Sequence, residues 1–422
     1  MIRQAVIIAG GKGTRLKSIL GEKPKILVNL EQDTLLDYQI NYLRNNKIEK
    51  IHFCLGYKSQ YILDYLNNKN IDYTYSIEDK PLGTYGALLN SKEYLDEKFF
   101  VLYGDVLTNL DIQKEFKLFL KYKSDAHLIL RYTNHPEDSD LVALRENQVI
   151  SISRLSEINN SIMPIGNTSL LFLQKKLLKE QYSPKKIDLF QDFIKKNIKS
   201  LYITGSISLD YIRDIGTKDR YETEIPKYKD KIKKPYSTAF FDRDGTLIAD
   251  QGNENNPEKI KFNNLSLEIM SYLQSKNFKT LLVTNQPGLA KGFFKVQDLV
   301  NFNSKMLLEI IAKKINPFDD IFICPHHPES GFVGEVNKLK ISCTCRKPET
   351  GLVDEAISKH NLDKKKFIFI GDTERDYILS TKFNSPFYLI KSIHTNEEYF
   401  KKLNIYPLQN IDDFKNQFEK NN

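Results

Sequence analysis

Long apolar runs, dense cysteine and internal repeats are all missing from this 422-residue chain. No stretch approaches the roughly 20 apolar residues that a membrane span needs, so no membrane partner is expected. The opening MIRQAVIIAGGKGTRL has a short apolar run ending in glycines and no signal-peptide cleavage pattern. Secretion is therefore not expected, and a cytoplasmic location is. Four cysteines are too few for a disulfide scaffold of this size. Without repeats or low-complexity tracts the length points to two or three ordinary domains, at roughly 100–200 residues each. Sixty-two Lys+Arg against 54 Asp+Glu leave +8, which permits nucleic-acid binding without arguing for it. Neither a kinase P-loop nor basic–aromatic strand-binding patches accompany that charge. No nucleic-acid partner is expected.

Two segments open alike, each an apolar strand running into a polar, glycine-containing turn. They are Ala5–Ala9 before Gly10-Gly11-Lys12-Gly13-Thr14-Arg15-Leu16, and Thr238–Phe241 before Asp242-Arg243-Asp244-Gly245-Thr246. Between them the charged stretch 226–236 carries Pro226 and Pro235 and no apolar period, which suits a linker. Strands are predicted at Lys50–Leu55, Asp72–Ile77 and Phe99–Tyr103 in the first half. In the second they are predicted at Thr280–Val283, Asp320–Ile323 and Lys366–Ile370. Amphipathic helices fit between them, at Thr34–Asn45, Gln60–Asn67, Leu265–Ser275 and Leu299–Lys313. Strand–helix alternation predicts an α/β chain of two domains, 1–225 and 237–422, each a mainly parallel sheet flanked by helices. Ligands of such sheets sit at the carboxyl ends of the strands.

The first glycine-rich turn can bring backbone N–H groups against phosphates. Its spacing fits neither the dinucleotide fingerprint nor a Walker A loop. Arg15 and Lys25 lie beside it and can neutralise the charge that develops as pyrophosphate leaves. The ordered set GGKGTRL, PKILV, EDKPLGTYGAL (Glu78–Leu88), Tyr103-Gly104-Asp105 and Asp214-Ile215-Gly216-Thr217 resembles the sugar-1-phosphate nucleotidyltransferase family. The resemblance implies that Gly10, Gly11, Gly13 and Arg15 hold an NTP triphosphate and that Lys25 bridges phosphates. It places Gly83 near the nucleoside, and gives Asp105 and Asp214 to Mg²⁺, whose hard oxygen chemistry suits carboxylates and phosphates. On the sugar side Ser156-Glu157-Ile158 keeps the family's Glu157, as substrate ligand, but lacks the Lys. Gly166-Asn167-Thr168-Ser169 keeps the Asn but lacks the second Gly.

In the second half, Asp242-x-Asp244 after an apolar strand fits covalent phosphoryl transfer. One carboxylate attacks phosphorus and the other protonates the leaving oxygen, then activates water. Thr284 and Asn285 can hydrogen-bond phosphate, Lys347 can neutralise it, and Asp372 with Asp376 can complete a metal site. This set resembles the haloacid dehalogenase (HAD) superfamily. The resemblance implies Asp242 as nucleophile and Asp244 as general acid/base. It also implies Mg²⁺ held by Asp242, Asp372 and the Asp244 backbone carbonyl.

Cys324, His326, Cys343 and Cys345 supply three thiolates and an imidazole at spacings suited to a closed, structural Zn²⁺ site. His327 is the competing imidazole. Cys-Pro-His-His-Pro-Glu followed by Cys-x-Cys-Arg-Lys-Pro narrows the resemblance to D-glycero-D-manno-heptose 1,7-bisphosphate phosphatases, whose relatives include histidinol-phosphate phosphatases. Arg346 and Lys347, directly after the last zinc ligand, would then face the substrate phosphates. The two resemblances imply successive steps: heptose 1,7-bisphosphate to heptose 1-phosphate, then heptose 1-phosphate plus NTP, GTP by resemblance, to an NDP-heptose. A histidinol-phosphate phosphatase, a hexose-1-phosphate transferase and a non-catalytic sugar-nucleotide binding first half remain as alternatives.

Overall fold

The computed structural model describes residues 1–69, 71–157, 162–179, 186–252 and 254–421. They fall into two compact units. The first comprises Met1–Arg131, Asp138–Leu155 and Ile165–Ile232; the second comprises Tyr132–Glu137, Ser156–Pro164 and Lys233–Asn422. Among the described residues no helix is long and apolar enough to cross a membrane.

The sheet of the first unit contains β1 (Gln4–Ile8), β2 (Lys50–Leu55), β3 (Tyr73–Ile77), β4 (Lys98–Tyr103) and β5 (Ala126–Tyr132). It continues with β6 (Leu141–Arg145), β7 (Gln148–Ser153), β8 (Ile165–Gln174) and β9 (Ile203–Ile207). The spatial order is β3-β2-β1-β4-β8-β5-β9-β7-β6. The predicted mainly parallel arrangement is seen from β3 to β4, where every pairing is parallel. Beyond β4 the sheet turns mixed, because β8 runs antiparallel to β4, and β7 antiparallel to both β9 and β6. Hydrophobic pattern reports that a strand is buried, not which way its neighbour runs. β1 is nearly all core, with Ala5, Val6 and Ile7 fully buried between two parallel neighbours. Its carboxyl end therefore opens into the glycine turn at the top of the sheet.

A separate antiparallel ribbon pairs Val106–Thr108 with Ile212–Asp214, setting Asp214 opposite Val106. That pairing carries a residue more than 100 positions away to the end of β4. The stretch 226–236 is more ordered than a bare tether. Tyr228–Lys231 is a short helix, and Tyr228 is buried in an apolar cluster with Leu16, Tyr211 and Ile215.

The second unit holds a parallel sheet of β10 (Thr238–Phe241), β11 (Lys279–Asn285), β12 (Asp320–Cys324), β13 (Phe367–Gly371) and β14 (Phe387–Leu389). Their order is β12-β11-β10-β13-β14, and every pairing is parallel. All four residues of β10 are buried, as a central strand covered on both faces requires. Parallel register brings the ends of β10, β11, β12 and β13 to one edge, so Asp242, Asn285, Cys324 and Asp372 emerge together. The helices expected from sequence occupy Asn264–Ser275 and Val296–Ala312.

Candidate active sites

In the first unit a pocket of about 270 Å³ lies over the ends of β1 and β4. It is lined by Gly11, Gly13, Arg15, Lys25, Thr84, Tyr103, Asp105 and Gly216, among others. Gly13 has φ +62°, a left-handed conformation that favours glycine and turns the chain toward Arg15. Lys25 Nζ bonds Asp105 Oδ2. Asp214 is held by Arg220, whose Nη1 donates to both carboxylate oxygens at 2.7 and 2.9 Å. A Cβ on Gly216 would sit 2.7 Å from Lys25 Nζ and 3.2 Å from both Asp105 Oδ2 and Asp214 Oδ1. One glycine therefore makes the room in which a lysine and two carboxylates converge.

Some residues expected at this site do not line this pocket. Gly10 packs on Glu78, whose Oε1 would be 2.8 Å from an added Cβ, and it does not line the pocket. Gly83 is also absent from the lining. It has φ +75°, and its Cβ would strike the Ile187 carbonyl oxygen at 2.4 Å, so its requirement is close backbone packing. Glu157 is exposed on a short turn, Leu155–Glu157, and falls outside the pocket lining. Its neighbour Ile158 lies outside the described residues. Asn167 is spent locally, its Oδ1 accepting from Ser169 N at 3.0 Å.

In the second unit a cleft of about 190 Å³ opens at the strand ends, lined by Asp242, Asp244, Asn285, Gln286, Arg346, Lys347, Asp372 and Asp376 with others. The carboxylates of Asp242, Asp372 and Asp376 come close enough to share a metal ion, and all three are buried. Lys347 enters this group, with Nζ 2.5 Å from Asp242 Oδ1 and 2.7 Å from Asp376 Oδ1. The Thr373 capping box orients Asp376. Its Oδ2 accepts from Thr373 Oγ1 at 2.6 Å, leaving Oδ1 for the lysine. Asp372 accepts from Thr246 Oγ1 at 3.1 Å and Ser392 Oγ at 2.6 Å.

One lysine among three buried carboxylates leaves the group net negative, and its proton affinities record this. Burial drives Asp242 well above the ordinary carboxylate range; Lys347 opposes this, and Asp376, Asp372 and Asp244 reinforce it. Burial, then the Asp376 charge, pushes Asp372 up to about 6. Asp376 goes the other way: burial would raise it, but the charge and hydrogen bond of Lys347 hold it below its usual value. A set of oxygen donors short of positive charge fits a hard cation.

The Asp244 carboxylate stands apart from the three. It accepts from Gln286 Nε2 at 2.6 Å and lies 3.1 Å from the Arg243 guanidinium. Asn285 spends both amide atoms on Lys347, accepting from its N at 3.0 Å and donating to its O at 3.1 Å. It thus anchors the lysine's backbone. Thr284, predicted as a phosphate ligand, is 1% exposed, and its Oγ1 accepts from Gln286 Nε2 at 2.9 Å. It does not line the cleft. Arg346 does, and its Nη1 reaches the His326 carbonyl at 3.4 Å. Gln286, Ser392, Arg375 and the pair His394–Asp250, 2.6 Å apart, are residues that sequence reasoning missed. Only Gln286 carried a signal, following Thr284-Asn285 at a strand end.

Cys324, His326, Cys343 and Cys345 form a second group able to hold a metal. Their sulfur–sulfur separations are 3.1, 3.3 and 3.6 Å, and His326 Nδ1 lies 3.2 Å from Cys345 Sγ and 3.9 Å from Cys324 Sγ. A tetrahedral shell with bonds of roughly 2.3 Å has edges of about 3.8 Å, so these ligands need little movement to close on an ion. His326 rather than His327 is the imidazole in this group.

Comparison with known proteins assigns each half. The family model described as "Nucleotidyl transferase" matches residues 4–231, and "Polynucleotide kinase 3 phosphatase" matches residues 237–388. D-glycero-alpha-D-manno-heptose 1-phosphate guanylyltransferase of Campylobacter jejuni is 31% identical over 224 residues, covering 52% of this chain and 96% of that protein. D-glycero-beta-D-manno-heptose-1,7-bisphosphate 7-phosphatase of Pasteurella multocida is 32% identical over 139 residues, covering 33% of this chain and 72% of that protein. A histidine biosynthesis bifunctional protein of Campylobacter jejuni is 35% identical over 145 residues, 34% of this chain and 38% of that protein.

Proposed function

Because the chain belongs to the nucleotidyl transferase family and joins that domain to a HAD-like heptose-bisphosphate phosphatase domain, we propose a bifunctional sugar-nucleotide enzyme. It removes the 7-phosphate of D-glycero-D-manno-heptose 1,7-bisphosphate and transfers GMP from GTP to the resulting heptose 1-phosphate. The observation that carries this reading is the pairing itself. One chain aligns with nearly the whole of a heptose 1-phosphate guanylyltransferase and with most of the phosphatase whose product is a heptose 1-phosphate. The two relatives are named for opposite anomers, α for the transferase and β for the phosphatase. A chain that performs both steps in succession uses one anomer throughout, and the reading takes the α-anomer named for the guanylyltransferase relative.

In the phosphatase step Asp242 attacks phosphorus and Asp244 protonates the departing sugar oxygen. Asp244 then takes a proton from the water that cleaves the aspartyl phosphate. Lys347 balances charge at Asp242, and Arg346 meets substrate at the cleft mouth. Asp242, Asp372 and Asp376 are the residues to hold Mg²⁺, which when bound screens the repulsion between carboxylate and phosphate. The three thiolates and His326 have the composition of a closed Zn²⁺ site without an open position, which makes it structural. In the transferase step Gly11, Gly13 and Arg15 take the triphosphate. Lys25 neutralises it, and Asp105 with Asp214 are the residues to hold Mg²⁺. Catalysis there is positioning and charge neutralisation around an in-line displacement.

Incubating the intact chain with α- or β-heptose 1,7-bisphosphate and each NTP, then identifying products by mass, tests the whole reading. GDP-heptose from the α-anomer with GTP is expected; phosphate release without any nucleotide sugar would remove the transferase half. A histidinol-phosphate phosphatase reading is favoured by the histidine biosynthesis relative, and faster turnover of histidinol phosphate than of the heptose would establish it instead.

A further inference from the structure

Asp244 follows Asp242 by two residues, yet its carboxylate is outside the group of Asp242, Asp372 and Asp376 and is held by a buried polar network. Arg243 is 3% exposed. Its Nε lies 3.1 Å from both Asp244 oxygens, and Nη2 lies 3.1 Å from Oδ2. Gln286 Nε2 donates to the same Oδ2 at 2.6 Å. The guanidinium is itself fixed. Nη2 donates to Gln286 Oε1 at 2.8 Å, Nη1 donates to Asn303 Oδ1 at 3.0 Å, and its plane lies over the Phe302 ring at 4.6 Å. Gln286 and Asn303 are 4% and 2% exposed.

The pattern is a closed ring. Arg243 bonds Gln286, and the two converge on the Asp244 carboxylate, with three of their four contacts on Oδ2 and one, from Arg243 Nε, on Oδ1. A single hydrogen bond would leave Asp244 free to turn about its Cβ–Cγ bond. A planar guanidinium fork plus an amide removes that freedom, and Arg supplies it better than Lys because its donors are preset in a plane. Asn303 does not line the cleft and touches Asp244 only through Arg243. The Gln286 backbone is also tied down, its N donating to the Cys324 carbonyl at 2.7 Å. That arm of the clamp is therefore fixed by the backbone at the end of β12.

We propose that Arg243, Gln286 and Asn303 are positioning residues for the general acid, holding Asp244 chiefly by Oδ2 so that Oδ1, which takes only a share of the Arg243 Nε donor, is the atom that exchanges the proton. This rests on the phosphatase reading above. In the first half-reaction a bond forms from Asp242 to phosphorus as the bond from phosphorus to the sugar oxygen breaks, and the proton on Asp244 Oδ1 passes to that oxygen. In the second, water adds to phosphorus, its proton returns to Oδ1, and the bond to Asp242 breaks. Protons and phosphoryl group balance over the cycle.

Dependence on the leaving group separates positioning from general damage. A sugar alkoxide needs a proton to depart, whereas p-nitrophenolate leaves without one. The value of kcat/KM reports the first half-reaction alone. Expected for Gln286→Leu and Asn303→Leu is a fall in kcat/KM of about 100-fold on heptose bisphosphate, within the range for general acid catalysis. On p-nitrophenyl phosphate the fall stays within about fivefold, since phosphoryl transfer to Asp242 no longer waits on the acid. Asn303→Asp, which keeps an acceptor for Arg243, restores most of the loss. Equal losses on both esters, or none on the sugar phosphate, would overturn the proposal. Should Asn303→Leu fail to fold by circular dichroism, Gln286→Leu decides it. A wild-type chain that hydrolyses neither ester would instead sink the phosphatase reading itself.

Discussion

Lys347 Nζ stands 2.5 Å from Asp242 Oδ1 although the two residues are 105 positions apart, and its other partner is Asp376. The lysine side chain is 4% exposed, so nothing from solvent replaces its charge. Replacement by methionine would strand buried carboxylates. Breaking such a group by removing one partner typically costs about 3–5 kcal/mol. For Lys347→Met we expect a lower unfolding temperature for the phosphatase unit and at least a 100-fold drop in phosphate release, on the order seen when a preorganised charge is removed. Nucleotide transfer, measured on the same preparation, should persist. Near-normal phosphate release would contradict the role given to this lysine.

The thiolate–imidazole group makes a compositional claim that metal analysis can settle. Wild-type protein should carry about one zinc per chain, bound by four ligands. Cys343→Ser should lose it. Because Cys345 runs directly into Arg346 and Lys347, phosphate release should fall with the metal, by roughly tenfold or more. A protein isolated without zinc, yet folded and fully active, would refute the assignment.

Gly216 offers a test of the transferase site that deletes no charge. An added Cβ would lie 2.7 Å from Lys25 Nζ, so Gly216→Ala must move the lysine ammonium off its place between the two carboxylates. Catalysis that depends on positioning responds to displacements of about 1 Å with losses near 100-fold. Pyrophosphate release should fall by that order while the fold, read by circular dichroism, and the phosphatase remain. Unchanged transfer would mean that the convergence at Gly216 is not used.

Acid should weaken the first unit through His52. The ring is fully buried, within 2.8 Å of Thr74 Oγ1, and burial depresses its pKa to about 4. Between pH 6.5 and 4 the unfolded chain binds a proton that the folded chain refuses, so stability is lost as pH falls through that window. The loss is on the order of 1–3 kcal/mol. Unfolding midpoints at pH 7 and pH 5 should converge less for the wild type than for His52→Gln, which cannot titrate. An identical pH dependence in the two proteins would exclude His52 as the source.

Much of both sites was legible because each is announced by a contiguous signal. β1 running into Gly10–Leu16 and β10 running into Asp242–Thr246 are local facts, set by a buried apolar strand and the turn chemistry after it. The Cys/His spacing was equally local, and the structure gathers those same four residues. What failed to show was partnership. Thr284 and Asn285 looked like phosphate ligands because they end a strand, but their polar atoms are spent on Gln286 and Lys347. Gly83, expected near the nucleoside, also packs against the Ile187 backbone, a contact no local pattern shows.

The amino-acid sequence alone determined the two-part α/β organisation and the strand ends at which the carboxylates, cations and glycine turns gather. Periodicity and turn composition act over a few neighbouring residues. Tertiary structure alone decided that the first sheet turns mixed beyond β4, that Gly216 lies beneath Lys25, and that Gln286 reaches Asp244. Those relations depend on strand direction and on register between segments far apart in the chain. A hydrophobic pattern specifies that a strand is buried; it does not say beside which partner.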